Sequence, residues 1–287
     1  ALDPTLTCLH HAMPFQPQDL QVVFITYNRS HLLAQSLERI RQQPQLKGVK
    51  VICSDDCSTE EHQAAIARMG FDRVVGAPKN GGLGRNNNKG LRACDSKYQL
   101  MVQDDCMLLN VQAVLDSVAI LEADPSVGMV RLHGEPGHFP LTEKSVGGVR
   151  YWVADHTSPA YEAMKAVPPR RRVYSDQPHV RRRELHERVV GFYAEGIQME
   201  RTERDYEDRM DAQSELFVAF LHPTEINAFD HLQHGESIRL ASGKNRMDRL
   251  ILNVLEPLKL RDTAIYKGLR SAYRKVQDTL ERVGILR

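Results

Sequence analysis

The sequence predicts an α/β fold, a mostly parallel sheet covered by helices and followed by a mixed region and C-terminal helices. Between residues 21 and 132, compact β-branched and apolar runs alternate with helix-patterned segments, as in a parallel sheet with helical crossovers. Polar clusters follow three of these runs: Thr26-Tyr27-Asn28-Arg29, Asp55-Asp56 and Asp104-Asp105. Ligands of such sheets bind at the carboxyl ends of the strands. The alternation stops near residue 133, where a Gly/Pro-rich stretch from Gly134 to Gly148 gives way to a basic segment from Pro168 to Arg188.

Gln21 to Thr26 reads as the first strand, and Ser30 as the cap of a helix from His31 to Gln43. Val49 to Ser54 is the second strand, Asp55 to Ser58 a turn, and Thr59 to Met69 a helix rich in Ala, Glu and Gln. Val74 and Val75 mark a third strand. After a glycine-rich turn, Asn86 to Cys94 is helical, Tyr98 to Val102 is an interior strand, and Val111 to Ala123 is a helix closed by Asp124-Pro125. Val127 to Leu132 is the fifth strand, and Val149 to Val153 another. Thr202 to Leu221 reads as one long helix. Asp262 to Val283 is amphipathic, with Ile265, Leu269, Ala272, Val276, Leu280 and Val283 on one stripe; that stripe is expected to pack on the domain or on a homodimer mate.

Composition narrows the function. With 38 basic and 37 acidic residues the net charge is +1, which argues against a surface built throughout for nucleic acid. The five cysteines, 8, 53, 57, 94 and 106, form an odd set with no second metal-ligand pair at zinc-finger distance, so a reducing, cytoplasmic compartment is expected. No run of about 18 apolar residues suggests a spanning helix, and the polar start does not resemble a signal peptide.

The chemistry concentrates between Lys79 and Cys106. Asp104 and Asp105 end an interior strand, and two adjacent anions there repel unless a cation or ligand compensates them. A divalent ion carrying a diphosphate solves that problem. Gly81, Gly82 and Gly84 allow close backbone approach, and Arg85 adds positive charge. A carboxylate at the end of the second strand can accept from a base N–H or a ribose hydroxyl, while Tyr27 offers a ring for stacking.

These motifs resemble family 2 glycosyltransferases, which have the GT-A fold. Val22 to Arg29 resembles the family's first strand and nucleotide loop, and Ser54-Asp55-Asp56-Cys57-Ser58-Thr59 its Asp-Asp-Gly-Ser-Thr turn. Asn80-Gly81-Gly82-Leu83-Gly84-Arg85-Asn86 is similar to its Asn-x-Gly segment. Gln103-Asp104-Asp105 stands at its Asp-x-Asp metal motif, with Gln103 replacing the first acid. Thr202 to Arg209 resembles the helix start whose second acid is the catalytic base of inverting members, and Glu203 matches that acid. A structural alternative makes Thr202 an N-cap with Asp205 at the third helical position.

The resemblance implies an inverting hexosyl transfer from a UDP-sugar to a hydroxyl-bearing acceptor, assisted by Mn²⁺ or Mg²⁺. Thr26, Tyr27, Asn28, Arg29, Asp55, Asp56, Asn80, Gly81, Arg85, Gln103 and Asp104 are implied on the donor side, with Asp56 ahead of Asp55 for the uracil. Asp105, with Asp104, is implied for the metal and Glu203 for the base. Trp152, Glu195 and Asp205 are assigned to the acceptor side; Trp152 either stacks on a sugar or packs in the core. The implied organisation is an extension over residues 1–20, a nucleotide-sugar half over 21–132, an acceptor and catalytic half over 133–221, and a C-terminal helical extension over 222–287.

The acceptor, whether glycan, small molecule or modified macromolecule, is not legible. Arg170 to Arg172 and Arg181 to Arg183, around Tyr174-Ser175-Asp176-Gln177, read as a substrate-facing or mobile loop, or as a solvated charged face. His133, His138 and His179 could join a metal or a phosphate. A binding-only GT-A-like protein is the alternative that Gln103 keeps open. A dinucleotide-binding enzyme fits poorly, because the glycines follow the third strand and miss the Gly-x-Gly-x-x-Gly spacing. Nucleotidyl transfer would need a Gly/Arg-rich loop after the first strand, which Tyr27 to Ser30 lacks.

Overall fold

The parallel strands form where β-branched runs can be covered on both faces. The computed structural model describes residues 16–133, 139–165, 173–221 and 228–232, all within the unit that ends at Leu232. Strand β1 (Leu20–Thr26) is buried along its whole length. Its alternate side chains enter two cores: Val22 and Phe24 join one, Val23 and Ile25 the other. Helices α1 (Ser30–Arg41), α2 (Glu60–Arg68) and α4 (Val111–Ala123) cover the first face, and α3 (Gly82–Ala93), α5 (Pro159–Lys165) and α6 (Met199–Asp211) the second. Each fully buried Val, Leu or Phe contributes roughly 1.5–3 kcal/mol to this three-layer packing.

Among the described residues, nine strands form one sheet in the order β3-β2-β1-β4-β9-β6-β10-β8-β7. Strands β2 (Lys50–Asp55), β3 (Arg73–Val75) and β4 (Tyr98–Gln103) run parallel with β1, which brings Thr26, Asp55 and Gln103 to one edge. Next to β4 lies β9 (His179–Arg182), antiparallel both to β4 and to β6 (Val127–Arg131). Strand β10 (Phe217–Leu221) then pairs parallel with β6, and the hairpin β7 (Leu141–Val146) and β8 (Val149–Ala154) closes the far side. That hairpin turns at Gly147 and Gly148, both at positive φ, as a two-residue type I′ turn requires. A separate pair, β5 (Cys106–Leu108) and β11 (Phe229–His231), crosses the edge of the site.

The first half follows its predicted elements to within four residues, and the second half departs. Thr202 to Leu221 is not one helix: α6 ends at Asp211, and Phe217-Val-Ala-Phe-Leu221 is a sheet strand. Its aromatic and β-branched run can bury both faces, and parallel pairing with β6 outweighs helical continuity. Arg181 is neither loop nor solvated face. It lies within β9 at 0% exposure, with its guanidinium on the hydroxyls of Tyr193 and Tyr206. Arg183 and Arg188 are solvated and paired with Glu187, Glu184 and Glu215. Phe229 to His231 forms a strand inside the stretch the sequence assigned to a helical extension. Arg170 to Arg172, His138, Cys8 and the stripe from Ile265 to Val283, with the homodimer expected from it, lie outside the described residues.

Two predicted caps are also revised. Ser30 is the first residue of α1 rather than its cap, and its hydroxyl meets Nδ1 of His62 at 2.8 Å. Thr202 lies inside α6, whose N-cap is Gln198, and its hydroxyl donates to the Gln198 carbonyl. Helix α3 begins at Gly82, four residues before the predicted start, so the glycine turn is its first turn. Gly84 serves packing rather than phosphate approach, since a Cβ there would lie 2.1 Å from the Ala194 carbonyl oxygen.

Candidate active site

The site forms where the carboxyl ends of β1, β2 and β4 meet the turn before β9, the start of α6 and the β5/β11 pair. At the end of β2, Asp55 and Asp56 are almost wholly buried. The Asp56 carboxylate accepts from the backbone N–H groups of Gly81 at 2.9 Å and Gly82 at 2.8 Å. Asp55 accepts from the Ser58 N–H and hydroxyl. Both acids therefore brace their own turns, and Asp56, expected at the uracil, holds the glycine segment. The ammonium of Lys89, unmarked by the sequence reading, donates to the Asp55 carbonyl. Burial lowers its pKa, although Asp56 and Asp55 favour its charge. Arg85 and Lys89, four residues apart on α3, give this corner two cations. Asn80 is exposed beside it.

In the first loop, Asn28 adopts φ 54°. Its N–H donates to the Ser58 hydroxyl at 2.8 Å and its side-chain oxygen accepts from the Thr59 N–H at 2.8 Å, which locks the loop to the Asp55-Asp56 turn. Tyr27 is half-buried, and its N–H faces Asp104 at 3.4 Å.

Asp104 and Asp105 are treated differently from Asp55 and Asp56, because here the charge is met by a cation. Asp104 accepts from the Thr26 hydroxyl at 2.8 Å, and Arg29 spans both acids, 3.4 Å from Asp104 and 2.9 Å from Asp105. Burial pushes the Asp104 carboxyl up to about 6; Arg29 opposes that rise and Asp105 adds to it. Arg29 holds Oδ2 of Asp105, while Oδ1 faces Nδ1 of His231 at 3.9 Å. Asp105, Cys106 and His231 each offer a ligand atom, all within 4.8 Å of one another. The carboxylate oxygen suits a hard cation such as Mn²⁺ or Mg²⁺, and the imidazole nitrogen and sulfur suit a borderline one such as Zn²⁺. Of these, Asp105 was expected and His231 was not: it lies 125 residues from Cys106 and arrives through β11, opposite Cys106 in register. No local pattern marks it.

The turn Tyr174 to Pro178 joins this motif to α6. Gln103 donates to the Asp176 carbonyl at 3.5 Å, and the Asp176 N–H donates to Glu203 at 3.2 Å. Burial, with the neighbouring Glu203 charge, raises the pKa of the Asp176 carboxyl. One of its oxygens accepts from the Tyr174 hydroxyl, which meets the Tyr193 hydroxyl, and Arg181 donates to the latter. Arg131 is another unpredicted neighbour. Burial lowers its pKa to about 10, with Glu203 and Glu207 holding it up.

The remaining acceptor-side assignments have structural partners. Glu195 accepts from Asn88 at 2.8 Å and pairs with Arg92, tying its loop to α3. Asp205 pairs with Arg209 at 2.7 Å along α6. Trp152 is half-buried on β8, opposite Phe220 and Glu143, three strands beyond β9. His133 meets the Phe229 carbonyl at 3.0 Å, and His179 is a buried strand residue held neutral by burial and by Arg181.

The sheet order, with its parallel first half, inserted β9 and edge pair, is that of the GT-A fold. A profile of glycosyl transferase family 2 matches residues 21–190, so the chain belongs to that family. Solved structures of similar fold include a mycobacterial protein, with TM-score 0.52 and 18% identity over 83% of this chain and 73% of that one. Glucosyl-3-phosphoglycerate synthase from Mycobacterium tuberculosis, in complex with Mn²⁺, UDP and glucosyl-3-phosphoglycerate, gives 0.51 and 16% over 83% and 78%. A mannosyltransferase from Pyrobaculum calidifontis, bound to GDP-Man and Mn²⁺, gives 0.50 and 14% over 94% and 81%. No curated protein sequence matches the chain. No helix among the described residues is long and apolar enough to cross a membrane.

Proposed function

We propose that this chain is an inverting, metal-assisted glycosyltransferase that moves a hexosyl group from a UDP-sugar to a hydroxyl acceptor. One observation carries the reading: Asp176 accepts from Gln103 of the metal motif through its carbonyl and donates to Glu203 through its N–H. The candidate base and the Gln103-Asp104-Asp105 motif thus meet on a single residue. Asp105 and His231, with Cys106 beside them, would hold the divalent ion, which when bound neutralises the diphosphate leaving group. Arg85 and Lys89 add positive charge on the donor side, and the half-buried Tyr27 ring is available to the base.

Glu203 takes the acceptor proton. A backbone N–H holds its carboxylate in place, and the buried guanidinium of Arg131 interacts with it electrostatically. Glu195 and Asp205 support the loop and helix around it, and Asp104 orders Thr26 and Arg29. A cytoplasmic setting accords with the free thiols of Cys53, Cys57, Cys94 and Cys106.

The test is Glu203→Gln. The amide cannot accept the proton, so transfer should fall by about 10²- to 10⁴-fold, while UDP-sugar binding, measured calorimetrically with Mn²⁺, stays near the unsubstituted value. Undiminished transfer would remove Glu203 as the base. Donor binding with no turnover in the unsubstituted protein, across a panel of acceptors, would favour the binding-only alternative.

A further inference from the structure

Tyr174-Ser175-Asp176-Gln177 stands out in the sequence only as the stretch between two arginine runs, and Gln177 has no part in the reading above. Its Oε1 lies 2.8 Å from Nε2 of His231. A carboxamide oxygen only accepts, so Nε2 carries the ring proton and the lone pair of the neutral imidazole is on Nδ1. That nitrogen is the one turned toward Asp105 Oδ1 and toward Cys106 Sγ, at 3.9 and 3.7 Å.

Gln177 is itself held on three sides. Its N–H donates to the Ser175 hydroxyl at 3.3 Å, and its carbonyl accepts from Nδ1 of buried His179 at 2.8 Å. The carbonyl of the following residue, Pro178, accepts from the Leu132 N–H at 2.9 Å. The His231 ring stands edge-on to His133, 5.1 Å between centroids.

We propose that Gln177 is a positioning residue for the metal site, holding His231 in the Nε2-protonated tautomer so that Nδ1 presents a lone pair to an ion on Asp105. This rests on the metal-assisted reading above. The opposite tautomer would aim a proton into the site and could not ligate. A neutral amide suits the task because a third carboxylate beside Asp104 and Asp105 would add repulsion before any cation arrives. Partners that orient a ligating histidine are typically worth about 10- to 100-fold in metal affinity.

The experiment titrates Mn²⁺ calorimetrically into the full chain, unsubstituted and as Gln177→Met and Gln177→Glu, with thermal melts to compare folding. Gln177→Met should weaken Mn²⁺ by about 10- to 100-fold, and Gln177→Glu, which still accepts from Nε2, should stay within about threefold. Equal affinity of the Met variant, or equal weakening by both, overturns the orienting role alone. Absence of Mn²⁺ binding by the unsubstituted protein overturns the metal-assisted reading and this role with it. Imidazole ¹⁵N shifts of His231 in the unsubstituted protein give a measurement that needs no variant. An Nε2-protonated signal is expected, and an Nδ1-protonated one overturns the proposal.

Discussion

The nearly inaccessible carboxylates of this sheet lie mostly in its first half and the nearly inaccessible imidazoles in its second. Between residues 20 and 132 the buried ionisable groups include Asp55, Asp56 and Asp104; between 139 and 232 they include His156, His179, Arg181 and His186. The acids have preorganised partners: the Ser58 N–H and hydroxyl, the Gly81 and Gly82 amides, the Thr26 hydroxyl and the Arg29 guanidinium. His179, His186 and Arg181 are handled by neutralisation or by caging. Burial, with Arg181 nearby, lowers the His179 imidazole to about 3 and His186 to about 2. Burial also opposes the charge on Arg181, but Tyr206, Tyr193 and Tyr174 favour it and it stays protonated. The proposed donor side therefore holds its carboxylates with preset partners, Arg29 among them. On the proposed acceptor side these imidazoles are buried, and Glu203 is the proposed proton acceptor.

The strongest way to break this contrast is Asp56→Asn. Each charge-assisted bond to Gly81 and Gly82 is worth about 1.5–3 kcal/mol, and the amide turns an NH₂ toward one of those N–H groups. A loss of about 3 kcal/mol in urea unfolding is expected, with Mn²⁺ affinity of the folded protein kept. Loss of Mn²⁺ affinity at unchanged stability would mean that Asp56 belongs to the ligand site rather than to the turn.

A somewhat smaller effect tests the other half. The folded pKa of His186 is depressed below the unfolded value, so its contribution to stability is fully present above about 6.5 and is lost as the pH falls toward about 2. Against His186→Leu, the unsubstituted protein should lose about 1.4 kcal/mol per pH unit below that point, or roughly 2–3 kcal/mol at pH 4.5. Parallel stability curves for the two proteins between pH 7 and 4.5 would show that the imidazole is not held neutral.

The same contrast explains what the sequence made legible. Donor-side acids follow their strands directly, so the pairs at Asp55-Asp56 and Asp104-Asp105 were visible as strand-end clusters in a βαβ pattern. Their division of labour was not, because whether a carboxylate finds backbone amides or a cation depends on which turn folds over it. Gly81 and Gly82 reach Asp56 from 25 and 26 residues away. On the acceptor side the relevant partners are farther still. His231 reaches Asp105 through strand pairing, and Arg131 acts on Glu203 through its charge. Arg181 misled because a charge run normally marks solvent, and only the tyrosines from two other elements make its burial tolerable. Phe217 to Leu221 misled because a short apolar run after a helix carries no period that distinguishes the two states.

The smallest predicted effect concerns the cation that spans Asp104 and Asp105. Arg29 reaches both Asp104 and Asp105 at limited exposure, so it stabilises the pair and also competes for Asp105 with any divalent ion. By linkage the competition is reciprocal: what Arg29 gains from Asp105, an incoming ion forgoes. Arg29→Gln should therefore lower stability in chelator by about 1 kcal/mol and tighten Mn²⁺ binding without nucleotide by about fivefold, since tenfold corresponds to about 1.4 kcal/mol. Adding Mn²⁺ should raise the melting temperature of the variant more than that of the unsubstituted protein. Weaker Mn²⁺ binding in the variant would reverse the sign, making Arg29 a support of the ligand carboxylate rather than a rival for it.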